Sequence, residues 1–374
     1  MRLLAAQRAN LAHPARSGLA FLGSLLGLLL TLPILALALP FWIAGVCTRR
    51  IAGLLEPRFL PWSSIVGFDP LIGWRPKPNL EVHGLAEEVF RITTGADGWP
   101  GNTSMAEADL VALGDSFAFG YGVNDRAMFS RLVQDVRVKP IGSPAYNLVQ
   151  ELLILREYSS QLAGKLVVWF VFLGNDLWDN LYPYTHMYST PFARRDNMRG
   201  NWRIENRHLS PKTRPYEYDA KHDRIIWERL ADICSSTHLS ERAYSACEYL
   251  VSEAQDICER GGARLCVFTI PDSAQLSPER LEDLRARSSN PDSFDPEFPD
   301  RKLSEICLNR GVAFLAGRAH LTRADYRQGD RHWNERGHRR IAQILGELYR
   351  LHGPGGGQDQ SVGPPTIVSE RGGV

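Results

Sequence analysis

The sequence predicts an α/β fold in which a parallel sheet is covered on both faces. Lys165 to Leu173, KLVVWFVFL, is an unbroken run of apolar, β-branched and aromatic residues, the pattern of a central strand buried on both sides. Shorter apolar runs, Leu110 to Leu113 and Ala263 to Ile270, alternate with segments of helical periodicity, as βα units do. Each run ends in turn residues: Gly114-Asp115-Ser116, Gly174-Asn175-Asp176 and Pro271-Asp272.

Taken in order, residues 1–16 are a short N-terminal tail. Residues 17–47 carry no charged side chain and include LGSLLGLLLTLPILALALPFWIAGV. About 20 such residues cross the hydrocarbon, so the segment reads as one transmembrane helix. Pro33 and Pro40 would kink or end it, and Trp42 stands where an interfacial aromatic would. A cleavable signal peptide competes, with Ala36-Leu37-Ala38 at a cleavage spacing. Residues 48–107 are rich in Pro, Gly and turn signals and read as a β-rich, membrane-proximal arm, with Trp74 and Trp99 packing it on the main domain.

The main domain spans 108–352. Helices are expected over Arg126–Val136, Val149–Leu162, Ser240–Arg260 with Ser240 as N-cap, Lys302–Asn309, and from an Asn334 cap to about Leu351. Val312–Leu315 reads as a last strand. Residues 178–239 hold many aromatics, among them Trp178, Tyr182, Tyr188, Trp202, Tyr216, Tyr218 and Trp227, and read as a lid or insertion. The tail 353–374 lacks a hydrophobic face and reads as disordered.

The chain has 374 residues, 44% of them hydrophobic, and its 43 basic and 42 acidic side chains exert no global pull on nucleic acid. Of six cysteines, Cys47 lies at the end of the apolar segment, and none has zinc-site spacing; buried small hydrophobes, with at most one disulfide, is the expectation. No metal and no cofactor is called for.

In open α/β sheets ligands bind beyond the carboxyl ends of the strands. Ser116 follows the first strand, Asn175 the third, and the loop after the last strand holds Asp330 and His332. A serine nucleophile needs a base to take its proton and a carboxylate to hold that base. Acyl transfer also needs donors aimed at the oxyanion, which Asn amides and backbone N–H groups supply.

These residues resemble the blocks of the SGNH, or GDSL-like, hydrolase superfamily. Gly114-Asp115-Ser116 is similar to its first block, Ile141 to Gln150 to its second, Gly174-Asn175-Asp176 to its third, and Asp330 to His332 with Asn334 and Gly337-His338 to its last. The resemblance implies a three-layer α/β/α, flavodoxin-like fold, with Ser116 as nucleophile, His332 as base and Asp330 orienting it. It also implies an oxyanion hole made by the N–H groups of Ser116 and Ala145 with the Asn175 amide. Two departures stand out: Ala145 replaces the usual glycine, and Asp330 lies two residues before His332 where the commoner spacing of three falls on Gly329.

The function so implied is a membrane-anchored serine esterase acting on acyl, above all acetyl, esters of a glycan or similar surface molecule. Alternatives are an O-acetyltransferase acylating a polysaccharide and a non-catalytic glycan-binding or assembly subunit. The implied partners are the acylated substrate, the bilayer and a membrane acyl-transfer protein. Substrate-contacting residues are not assigned. Arg2, Arg8 and Arg16 before the span balance Arg49, Arg50 and Arg58 after it, so the expected single-pass topology, with the domain extracytoplasmic (periplasmic), comes from the implied substrate and not from charge.

Overall fold

The computed structural model describes residues 65–85, 89–185, 188–196, 200–212 and 220–354. The expected transmembrane helix, the N-terminal tail, Cys47, Tyr216, Tyr218 and nearly all of the C-terminal tail lie outside these residues. Among the described residues no helix is long and apolar enough to cross a membrane.

The arm consists of two antiparallel hairpins, β1 (Val66–Asp69) with β2 (Gly73–Pro76) and β3 (Glu81–Leu85) with β4 (Val89–Thr93). Its apolar residues join the main core. Trp74 and Trp99 are fully buried, the Trp99 indole N–H donates to the Tyr158 hydroxyl (2.9 Å), and the Tyr146 hydroxyl donates to the Trp74 carbonyl (2.8 Å).

The domain then alternates strand and helix: β5 (Leu110–Gly114), the one-turn helices α1 (Ser116–Phe119) and α2 (Phe129–Leu132), β6 (Val138–Gly142), α3 (Leu148–Glu157), β7 (Leu166–Phe172) and α4 (Asp176–Asp179). Two small hairpins follow, β8 (Tyr184–Thr185) with β9 (Tyr188–Ser189) and β10 (Phe192–Arg195) with β11 (Trp202–Glu205). The rest is α5 (Ala220–Ile233), α6 (His238–Gly261), β12 (Arg264–Ile270), α7 (Pro278–Arg287), α8 (Phe298–Asn309), β13 (Ala313–Ala316) and α9 (Glu335–His352).

The five main strands are all parallel, in the order β13-β12-β7-β5-β6. Their period of two divides the core. Val111, Leu113, Val167, Trp169, Val171, Leu265 and Val267 face the cluster that contains α3, α6 and α8. Leu110, Ala112, Val168, Phe170, Cys266 and Phe268 face the other, closed by Phe129 of α2 and by Ile341, Ile344, Leu345 and Leu348 of α9. The result is three layers, and the apolar run through Trp169 is its central strand. From β5 the chain turns one way to β6 and then returns past β5 to β7, so the strand order reverses between β5 and β7. The ligand crevice of such sheets lies at that point.

Several boundaries differ from the sequence expectation. The helix expected over Arg126–Val136 is a 3-10 turn at Asp125–Ala127 and the single turn α2, because Val133 is extended and Asp135 takes φ +60°. Helix α3 stops at Glu157 and a 3-10 turn, Ser159–Gln161, follows. The cap of helix α6 lies three residues before the expected one: Thr237 caps it and trades hydrogen bonds with Ser240. The five described cysteines are free and buried, and burial pushes the thiols of Cys234, Cys258, Cys266 and Cys307 up to about 12.

Candidate active site

Ser116 stands at the first position of α1, directly after β5. The turn is held by Asp115, whose carboxylate accepts from the Phe117 N–H (2.9 Å) as N-cap, and by Gly120, which ends α1 at φ +76°. A Cβ on Gly142 would fall 2.6 Å from the carbonyl oxygens of Gly114 and Asp115, so only glycine lets the end of β6 pass beneath this turn.

His332 and Asp330 come from the loop between β13 and α9. Tyr326 and Trp333 bridge across the neck of that loop, and the Arg327 N–H donates to the His332 carbonyl (3.0 Å). The His332 ring packs against Phe117 and Tyr121, with centroids 5.1 and 5.0 Å apart. Its Nε2 lies 2.7 Å from Ser116 Oγ and its Nδ1 lies 2.6 Å from Asp330 Oδ1. The two-residue spacing therefore suffices, and the three residues form one hydrogen-bonded chain from carboxylate to hydroxyl. Burial works against ionisation of Asp330, but the adjoining His332 ring, together with hydrogen bonds from the ring and from the His332 and Arg331 N–H groups, holds the carboxyl well below its ordinary range.

Ala145 follows β6 at φ +64°, and its N–H has no acceptor among the described residues. Asn175 follows β7 half-buried. Its amide donates to Asp179 (2.9 Å), while Asp176 accepts from the Phe172 N–H (2.7 Å). The acidic side chains of α4 thus hold the Asn175 turn. Ser116, Ala145 and Asn175 stand at the ends of β5, β6 and β7, three neighbours in the sheet.

Arg331 and Glu151 carried no signal in the sequence. Arg331, between Asp330 and His332, pairs through Nε with the fully buried Asp272 after β12 and donates through Nη2 to the Gly174 carbonyl (3.1 Å). It ties three strand-end loops together. Glu151, Asp115 and Asp176 are buried carboxyls near one another; burial pushes Asp115 up to about 6 and holds the other two well above the usual range. His338 accepts from the Phe129 N–H (3.2 Å), and burial pushes its pKa down to about 3, which makes it a neutral core acceptor.

No family model matches the sequence, and no curated relative does. Several solved structures match in outline. A carbohydrate acetylesterase family member from Sinorhizobium meliloti is 12% identical (65% of this chain, 97% of that one, TM-score 0.37). A lipolytic protein of the G-D-S-L family from Veillonella parvula is 11% identical (64% and 97%, TM-score 0.36). The inhibitor-bound aryl esterase of M. smegmatis is 11% identical (65% and 98%, TM-score 0.37). Likenesses this remote carry nothing about reaction or substrate; the side chains do.

Proposed function

We propose that this chain is a serine esterase of the SGNH or GDSL-like kind. It is held at a membrane by residues 17–47, faces the extracytoplasmic side, and removes acyl groups, acetyl above all, from a glycan or similar surface molecule. The observation that carries the esterase reading is the chain Asp330–His332–Ser116, with hydrogen bonds of 2.6 and 2.7 Å, at the point where the strand order reverses.

In this reading Ser116 Oγ attacks the ester carbonyl carbon and its proton passes to His332 Nε2. Asp330 stabilises the imidazolium. The oxyanion is met by the N–H groups of Ser116 and Ala145 and, once the Asn175 amide turns from Asp179, by that amide. The tetrahedral state collapses, the alcohol leaves with the proton from His332, and an acyl-serine remains. Water then gives its proton to His332 and attacks the acyl carbon, releasing the acid and restoring Ser116. A sugar hydroxyl in place of that water would make the same centre a transferase.

The test is a fluorophosphonate, which is attacked by an activated serine and mimics the tetrahedral state. In the full-length protein the adduct is expected on Ser116, absent in Ser116→Ala and nearly absent in His332→Ala, since both belong to one unit. Turnover of p-nitrophenyl acetate with and without a glycan acceptor separates hydrolysis from transfer. An unlabelled, folded protein that turns over no ester would instead be a binding subunit.

A further inference from the structure

Beside the triad lies an open cleft of about 310 Å³, bounded by Phe90 of the arm, the segment after α1 through Gly122 and Asn124, Arg327, and the start of α9. Its polar groups are nearly all engaged. Asn124 accepts from the Arg91 N–H (3.0 Å), Arg336 pairs with Asp325 (3.0 Å), and Glu335 faces Arg339 (3.7 Å). Arg327 is the exception. It is 7% exposed, its Nε and Nη1 have no hydrogen-bond partner, and no acid pairs with it among the described residues. The guanidinium packs against Gly122, where a Cβ would fall 2.8 Å from its central carbon.

A buried, unpaired guanidinium is costly, because arginine stays charged and its donors have been taken out of water. Nε and Nη1 are sealed from solvent whereas Nη2 is not among the sealed atoms, so an anion in the cleft would meet the guanidinium through Nη2 and offset its charge with a charge-assisted hydrogen bond, and the adjoining N-terminus of the long helix α9 favours negative charge as well. The cleft also belongs to the site. Arg327 N–H is bonded to the His332 carbonyl, and Gly122 follows Tyr121, whose ring packs on His332.

We propose that this cleft is a subsite for an anionic oxygen group, carboxylate or phosphate, on the molecule that carries the ester, so that the substrate is an acidic glycan and not a neutral one. The ester part rests on the function proposed above; the anion site does not. Arg327 holds the anion beside the triad, and Glu335 at the rim opposes it.

Binding is measured first by calorimetry on full-length Ser116→Ala protein, where no turnover intervenes, with glucuronate, glucose 6-phosphate and glucose as probes. Binding of either acidic sugar, at least tenfold tighter than glucose, supports the site, and the better of the two names its anion. Arg327→Met should weaken that binding by about ten- to a hundredfold, the scale of a lost charged hydrogen bond. Glu335→Gln, which keeps Arg327, should tighten it by about two- to fivefold. In the active protein the ratio of kcat/KM for O-acetyl glucuronate over O-acetyl glucose should fall about ten- to a hundredfold in Arg327→Met. No preference for acidic sugars over glucose, or binding indifferent to both substitutions, overturns the anion site even if esters are hydrolysed. Acidic-sugar binding in a protein that hydrolyses no ester leaves the anion site standing and sinks the esterase.

Discussion

Ala145 takes a left-handed backbone conformation at φ +64°, which costs an L-residue about 1–2 kcal/mol. Ala145→Gly should therefore raise stability by about 1 kcal/mol, read as a rise of roughly 2–4 °C in melting temperature, with the N–H left in place. No change would mean that the turn relaxes in solution. Asp115 makes a pH-dependent claim. Its carboxyl is pushed up to about 6 by burial, against about 3.9 in an unfolded chain. Between these values the folded state keeps a proton that the unfolded chain has lost, so this residue adds stability as pH falls from about 6 to about 4. Relative to Asp115→Asn, the wild type should gain up to about 3 kcal/mol between pH 7 and pH 4, measured by urea unfolding at each pH. An unchanged difference would show that the carboxyl titrates normally. Ser116, Asn175, Asp330 and His332 were legible because each sits in a short run of turn residues. Arg331 and Arg327 were not, because the partner of one is 59 residues away and the Nε and Nη1 of the other meet no partner among the described residues.

Among elements, the loop between β13 and α9 depends on a clamp. Arg331 reaches from it to Asp272 after β12 and to the Gly174 carbonyl after β7. Arg331→Ala leaves the fully buried Asp272 carboxylate unpaired, a loss of about 3–5 kcal/mol. Adding Asp272→Asn should restore most of that stability, since the orphaned charge is gone and the amide can still cap the Ala274 N–H. Turnover of p-nitrophenyl acetate should stay low in the double variant, because His332 has lost its tether. Recovery of both together would reduce Arg331 to a purely structural role. The strands were the most legible elements, since runs such as the one through Trp169 admit no polar alternative. Helix starts were less so: the first turn of α6 offers one apolar residue, Leu239, among polar ones, and the Thr237 cap lies before it. The described parts of 178–239 were the least legible. Trp202 donates to Ser245 of α6 (3.0 Å), and Leu230, Ala231 and Ile233 of α5 are buried, contacts that no local pattern announces.

At the scale of the whole molecule, the arm and the α/β domain share one core: Ile72, Trp74, Phe90 and Trp99 lie in the same cluster as Val111, Trp169 and Leu250. The sequence reading of an arm packed on the main domain by Trp74 and Trp99 agrees with their burial in this core, since a buried tryptophan needs a partner surface. The second core, on the opposite face, is completed by α9, the last described helix. Ser116 and His332 are separated by 216 residues, so the hydroxyl meets its histidine only after that whole stretch has been made. At about 5–20 residues per second, a ribosome takes roughly 10–40 seconds to get from one to the other. For that interval the nascent chain carries an ordinary alcohol at residue 116. Under the proposed function, an acyl ester met on the way out of the ribosome would find no base to start the reaction, so reactivity would await the emergence of His332.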